Sequence, residues 1–195
     1  MRYHTRGYLP HLEVEDATQF VTWRQADSIP PGVWQQVLQE TEEMPEPERG
    51  RERMRRAELI LDAGYGTAAM RNALVARAVQ ETLFFGHGKR YTLCAYVVMP
   101  NHVHAVLRLL PGEDLSTILR TIKSFSAKEA NRLRKTQGRF WQVESFDRLI
   151  RTPEQFERTV RYIEWNPVKA QLVADPKHYA YSSAYPINLE RLDRE

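Results

Sequence analysis

Hydrophobic and polar positions predict a β-hairpin in the middle of the chain. Residues 91–99 are apolar on both alternating faces, which is typical of a buried central strand. Pro100 and Asn101 form a tight turn, and residues 102–109 continue with strand composition. A further strand is predicted at 17–25, where aromatic and β-branched residues cluster. The two segments beside the turn are expected to pair as antiparallel strands.

Apolar residues at helical spacing predict three helices around these strands. The first covers about 69–85, the second begins near Leu115, and the third covers 153–165. Thr152 is a suitable N-cap for the third helix, because its hydroxyl can accept a backbone hydrogen bond there. The core stripe of the third helix is Phe156, Val160 and Ile163.

Residues 28–68 interrupt this pattern with a highly charged stretch. Glutamates are followed by a run of arginines, and two prolines in 44–47 interrupt any helix between them. Glu52 and Arg56 are one helical turn apart, so they favour a solvent-facing helix. We interpret 28–68 as an insertion in a single domain that spans residues 1–195.

Two histidines stand on the second strand of the predicted hairpin. Side chains alternate along a strand, so His102 and His104 share one face and the apolar residues between them point to the other. Two imidazoles at this spacing are well placed to hold one divalent metal ion. The alternative is a pair of partly exposed histidines beside a turn, because His-x-His is a short and common motif.

Tyr162 and Asn166 are four residues apart on the third predicted helix. They therefore lie on the same side of it, and the phenol and the amide approach one small volume. Taken alone, Tyr162 is equally compatible with an aromatic residue at the edge of the core. Asn166 is compatible with a helix C-cap, because Pro167 follows it.

Composition narrows the class of protein. A single cysteine, Cys94, excludes an internal disulfide framework and any metal site built from several cysteines. No apolar run approaches the roughly 20 residues that a membrane span needs, and the N-terminus lacks the apolar core of a signal peptide. We expect a soluble protein of a reducing compartment, the cytoplasm, with no membrane partner.

Charge is distributed unevenly along the chain. The net charge of +3 comes from 28 basic and 25 acidic residues. Residues 120–139 contain seven basic residues and one acid, so this segment carries +6 and the rest of the chain −3. Such a helix face attracts a polyanion such as nucleic acid, although a solvated face is an equal alternative.

Several segments together resemble the HUH single-tyrosine transposases, the IS200-like superfamily, and in particular its REP-associated tyrosine transposase branch. The sequence at 100–104, Pro-Asn-His-Val-His, is similar to the family's His-hydrophobic-His signature. The segments 140–142, 146–151 and 162–170 are similar to the REP-associated branch, and the resemblance spans about 7–184. It implies an α+β fold, a ferredoxin-like sandwich with an antiparallel central sheet, helices packed on it and a charged helical insertion.

The resemblance also implies a chemistry. Tyr162 matches the nucleophile that attacks single-stranded DNA and forms a 5′-phosphotyrosine intermediate, and His102 and His104 match the metal pair. Asn166 falls where relatives place a polar third ligand for Mg²⁺ or Mn²⁺. A covalent intermediate conserves bond energy, so strand joining requires no nucleotide cofactor, and no phosphate-binding glycine loop is present.

The DNA is expected to be a REP-like hairpin with a short single strand, bound by a monomer rather than a dimer in the bacterial nucleoid. Arg6 and His11 are base-reading candidates by resemblance. The expected backbone contacts are Lys123, Lys128 and Arg132, with Arg148 and Arg151 nearer the cleavage site. The main alternative is a domesticated protein that grips hairpin DNA without cutting it. A hydrolytic metalloenzyme barrel is a weaker alternative, because the chain is short for such a barrel of about 250 residues.

Overall fold

The computed structural model describes residues 17–193, together with the backbone of two paired strands, β1 (Arg2–Arg6) and β2 (Leu9–Glu13). Two single-turn 3-10 helices cover Ala69–Arg71 and Pro176–His178. In chain order the other elements are β3 (Thr18–Arg24), α1 (Pro31–Glu40), α2 (Glu48–Asp62), α3 (Ala73–Gly86), β4 (Tyr91–Val98), β5 (His102–Leu109), α4 (Leu115–Arg134), β6 (Phe146–Ile150), α5 (Pro153–Lys169) and α6 (Pro186–Leu192).

The central sheet has four antiparallel strands in the order β4-β5-β3-β6. Together with α3 and α4, these strands follow one another along the chain as β-α-β-β-α-β, which is the ferredoxin-like arrangement. The predicted hairpin is β4 and β5, and the strand predicted at 17–25 is β3. The expected fold class is therefore confirmed.

Helices cover both faces of the sheet. On one face, α3 and α4 pack on Val103, Ala105 and Leu107 of β5 in the larger core cluster. On the other face, Ile163 of α5 is fully buried in a second cluster with Val106 of β5. The histidines of β5 belong to the α5 face, as strand alternation predicts. They are only 1% exposed, so the alternative of two partly exposed histidines is wrong.

The charged region 28–68 contains α1 and α2 and no strand. Its charges largely neutralise one another, because Glu52 of α2 pairs with both Arg55 and Arg56 at 2.8 Å. Arg53 links the two helices, donating to Thr41 Oγ1 at 2.8 Å. The insertion is thus a helical pair with its own internal ionic contacts.

The C-terminal end of the third predicted helix, α5, differs from the sequence expectation. The third predicted helix continues past Trp165 to Lys169 with Pro167 inside it, so Asn166 is not a C-cap. A proline ring at that position removes only one helical hydrogen bond, and Ala170 N still bonds to Asn166 O at 2.9 Å. Among the described residues, no helix has the length and apolar character needed to cross a membrane.

Candidate active site

The two histidines of β5 converge on one point beneath α5. Their Nε2 atoms are 3.0 Å apart, and the ring planes are nearly perpendicular at 75°. Two nitrogen ligands at right angles, each about 2.1 Å from one ion, would be separated by about 3.0 Å. The spacing of His102 and His104 therefore suits a shared metal ion.

Asn101 determines which nitrogen of His102 is free. Its Nδ2 donates to two carbonyl oxygens, Leu61 O at 3.2 Å and Tyr65 O at 3.1 Å, so its Oδ1 is an acceptor. That oxygen is 2.8 Å from His102 Nδ1, which must then carry the proton. The lone pair of His102 is left on Nε2, the atom that faces His104. The Asn101 side chain thus fixes the tautomer of His102 and also anchors the end of α2.

Thr22 of β3 plays the corresponding part for the second histidine. It lies opposite His104 in the β3–β5 register, and its Oγ1 is 2.7 Å from His104 Nδ1. A hydroxyl can donate or accept, so it accommodates either tautomer of the imidazole. Metal-bound histidines commonly have such a partner on the second ring nitrogen, because it fixes the ring orientation and the tautomer.

Burial holds both imidazoles in the neutral form that a metal ligand requires. Desolvation, followed by the charge of Lys169, lowers the pKa of His102 to about 3. Desolvation also lowers the pKa of His104 well below its ordinary value, assisted by the neighbouring His102 and by Lys169. Neither imidazole is therefore positively charged near neutral pH, and each can donate the lone pair of its unprotonated nitrogen.

Asn166 supplies the strongest indication that a group is meant to bind here. It is 1% exposed, and neither its Oδ1 nor its Nδ2 makes a hydrogen bond of acceptable geometry. Buried polar atoms are rarely left in this state. The described residues contain no cluster of three or more His, Cys, Asp or Glu side chains that would hold a metal. Two imidazoles with one amide are therefore the donor set that the site offers, and they fit a divalent ion.

Tyr162 lies directly beside this donor set. Its ring meets His104 at a centroid distance of 5.4 Å and Phe20 at 6.1 Å, both edge to face. The amide of Asn166 is near enough to influence the hydroxyl, yet Oη makes no hydrogen bond of good geometry. Burial, together with the charges of Glu58 and Asp62, raises the pKa of Tyr162 above its ordinary value. The phenol is thus neutral at rest.

An open cleft of about 450 Å³ leads from the surface to Tyr162. Arg148 and Arg151 line it together with Tyr162, and so does Arg158 of α5. The Arg148 guanidinium donates to Thr159 Oγ1 at 3.2 Å and lies over the Phe20 ring, which holds it in the cleft. Three cations beside one hydroxyl make this cleft suited to a phosphodiester backbone.

The basic residues of α4 occupy a different part of the molecule. This helix packs on the sheet face opposite His104, and its basic residues do not form one stripe. Lys123 Nζ donates to Val143 O at 2.8 Å and to Ser145 Oγ at 3.1 Å, and burial lowers its pKa to about 8. Its ammonium is therefore already engaged by protein atoms.

Lys128 and Arg132 lie one turn apart on the exposed side of α4. Arg132 forms an ion pair with Glu129 at 2.5 Å. Arg6 and His11 belong to β1 and β2, but their side chains lie outside the described residues. The roles of these four residues in DNA binding stay predictions.

Four residues of the site escape sequence reasoning: Thr22, Asn101, Glu58 and Arg158. Thr22 was part of an ordinary strand, and Asn101 is indistinguishable from a turn residue. Glu58 belongs to a charged insertion that reaches the site only through the tertiary fold. Arg158 was the one with a local signal, because it is four residues before Tyr162 and lies on the same side of α5.

Comparison with known proteins bears on this geometry. Residues 72–166 match the family model described as Transposase IS200 like. This segment, just under half of the chain, is thus similar to the IS200-like transposases. It contains both histidines, and Tyr162 and Asn166 are near its end. A search of curated proteins found no significant match.

Two solved structures are similar to this chain at low sequence identity. A structure of a REP-associated tyrosine transposase bound to a REP hairpin is 19% identical, with a TM-score of 0.56, covering 98% of this chain and 87% of that one. A candidate transposase from Deinococcus radiodurans R1 is 17% identical, with a TM-score of 0.35, covering 85% of this chain and 98% of that one. The first similarity supports the ferredoxin-like architecture.

Proposed function

We propose that this protein is a metal-dependent endonuclease and strand transferase that acts on single-stranded DNA next to a REP-like hairpin. The observation that supports this proposal is the arrangement of the side chains at the site. The paired Nε2 atoms of His102 and His104 lie beside the Tyr162 ring, and the buried, unpartnered amide of Asn166 is one helical turn from Tyr162 on α5. The similarity of residues 72–166 to a transposase family and the fold shared with a hairpin-bound transposase support it.

Tyr162 is the proposed nucleophile. Attack of its Oη on the scissile phosphorus would break the bond to the 3′ oxygen, leaving a 5′-phosphotyrosine and a free 3′-OH. Rejoining to another 3′-OH would complete strand transfer. Phenol is a weak nucleophile at neutral pH, so the site must activate it or its target. A Mg²⁺ or Mn²⁺ ion held by His102, His104 and Asn166 supplies Lewis-acid polarisation of the phosphate when bound.

The cleft residues would orient the strand. Arg148 and Arg151 provide guanidinium groups that can hold phosphate oxygens with two hydrogen bonds each. Phe146 meets Phe20 edge to face at 6.3 Å and lines the same cleft, so it offers a ring for an unpaired base. Trp141, by contrast, is 4% exposed and donates to Ser126 Oγ at 2.9 Å, so it belongs to the core.

The test is covalent capture of DNA. The protein is incubated with a labelled hairpin carrying a single-stranded flank and with Mn²⁺, and adducts are separated by denaturing electrophoresis. We expect a metal-dependent adduct that carries the 5′ phosphate side of the cut and disappears in Tyr162→Phe, whereas hairpin binding persists.

The matched control is Tyr65→Phe, because the Tyr65 side chain is 49% exposed and its bond to Asn101 is made by the backbone carbonyl oxygen, which the substitution leaves in place. Its adduct yield should equal that of the wild type. Adduct formation that survives in Tyr162→Phe would contradict the nucleophile assignment. A wild-type protein that binds the hairpin tightly and never forms an adduct would instead favour the catalytically silent hairpin-binding protein.

A further inference from the structure

We propose that Glu58, on the charged insertion, is the general base that takes the proton from Tyr162. This inference rests on the proposed function. Glu58 is the only acidic residue among the described residues that line the cleft in front of Tyr162. It comes from α2, which lies outside the segment that matches the transposase family model.

Two sets of contacts fix the C-terminal end of α2. Asn101 donates to the carbonyl oxygens of Leu61 and Tyr65, which ties the end of α2 to the turn before His102. Lys169 Nζ is 2.6 Å from Asp62 Oδ2, which ties the same end to α5. These contacts hold the preceding turn of α2, which carries Glu58, against the helix that carries Tyr162.

Glu58 and Tyr162 line the same cleft, and the buried Tyr162 Oη has no hydrogen-bond partner of good geometry. Catalytic hydrogen bonds are often long or poorly aligned before substrate binds and tighten in the complex. Phosphate entry between Tyr162 and the arginines would leave Glu58 as the nearest acceptor for the phenol proton.

The surroundings of Glu58 suit a base that works near neutral pH. Burial raises the pKa of its carboxyl group, opposed by Tyr162, Lys169 and Arg148, and assisted by the charge of Asp62. A carboxylate with a raised pKa is a stronger base than an exposed one. The other charged group that lines the cleft from α5 is Arg158.

The step balances as follows. Glu58 accepts the proton from Tyr162 as Oη forms its bond to phosphorus. The bond between phosphorus and the 3′ oxygen breaks, and that oxygen leaves with the electron pair and takes a proton from water. In strand joining the incoming 3′-OH loses its proton to water as it attacks. The protonated Glu58 then returns its proton to the departing Tyr162 oxygen.

The test compares the pH dependence of adduct formation in Glu58→Gln and the wild type, with single-turnover kinetics on the same labelled hairpin. A positioned general base contributes about 10²–10⁴-fold, so the variant should be slower by that factor at neutral pH. In the wild type the rate should rise with pH and level off as Glu58 ionises. The rate of adduct formation by Glu58→Gln should not level off in this way. Glu58→Asp should retain it, because a carboxylate remains.

Glu52→Gln is the matched control. It also removes a carboxylate from α2, but Glu52 pairs with Arg55 and Arg56 away from the cleft. Its rate and pH profile should match the wild type, and all variants should bind the hairpin equally. Equal rates and profiles for Glu58→Gln and the wild type would overturn the assignment of Glu58 alone. Absence of an adduct in the wild type would overturn the proposed function and this inference with it.

Discussion

Acidification should destabilise the metal-free protein through its buried histidine pair. Burial lowers the pKa of His102 to about 3 and moves that of His104 in the same direction. In an unfolded chain, a histidine has a pKa of about 6.5. Below that value the unfolded chain takes up protons that the folded protein does not. The stabilisation is therefore complete above pH 6.5 and is lost as the pH falls towards 3.

The magnitude follows from the pKa of the unfolded chain. Each unit between that pKa and the solution pH corresponds to about 1.4 kcal/mol, so at pH 5.0 His102 alone should cost about 2 kcal/mol. His104 adds a loss of the same sign. A domain of this kind has a total free energy of unfolding of about 5–15 kcal/mol, so a change of this size is readily measured.

The assay is urea unfolding in the presence of a chelator at pH 7.5 and pH 5.0. Other groups also titrate in this interval, so the informative quantity is the difference between variants. His102→Gln should reduce the loss of stability by about 2 kcal/mol relative to the wild type. His178→Gln removes an exposed histidine and should keep the full loss. An identical loss in the wild type and His102→Gln would refute the argument that burial keeps His102 neutral.

Three further results are expected. Thr22→Val should weaken Mn²⁺ binding in calorimetry by about 10–100-fold, because it removes the partner of His104 Nδ1, whereas Thr82→Val, whose hydroxyl bonds within α3, should not. Replacing Arg148 and Arg151 with glutamine should reduce the slope of log affinity against log salt for single-stranded DNA by about 1.4. Replacing Lys128 and Arg132 should change this slope less. Equal changes in the two variants would contradict the cleft as the path of the bound DNA. Ile163→Ala should lower the urea-unfolding free energy by about 2–5 kcal/mol, because Ile163 is fully buried, whereas Leu74→Ala, 63% exposed, should change it little.

Local patterns predicted the parts of the site that lie on single elements. Strand alternation places His102 and His104 on one face of β5, and helical spacing places Tyr162 and Asn166 on one side of α5. The pairing of these two elements across a sheet face followed from the family resemblance rather than from any spacing. The hydrogen bond between Thr22 and His104 and the cleft shared by Glu58 and Tyr162 join residues far apart in the chain, so no periodicity could indicate them.

The charge pattern was less informative, because the net charge of a segment does not show which way its charged side chains face. A sum over residues 120–139 does not show that α4 packs on the face opposite Tyr162, or that Lys123 is engaged by Val143 and Ser145. Phe125 shows the same limit for apolar patterns, since it continues the apolar stripe of α4 and yet is 64% exposed. Ser126 takes the core position instead, because Trp141 Nε1 donates to its hydroxyl.

The insertion is rich in charged residues, and yet its helix α2 lines the cleft in front of Tyr162. Two of its arginines, Arg55 and Arg56, pair with glutamates of α1 and α2. The two links from Asn101 and Lys169 hold the C-terminal end of α2 against the turn before His102 and against α5. Asn101 contacts both the insertion and His102 Nδ1, so any displacement of α2 would also disturb the tautomer of His102. The insertion is thus coupled to the histidine pair by hydrogen bonds and forms one wall of the Tyr162 cleft.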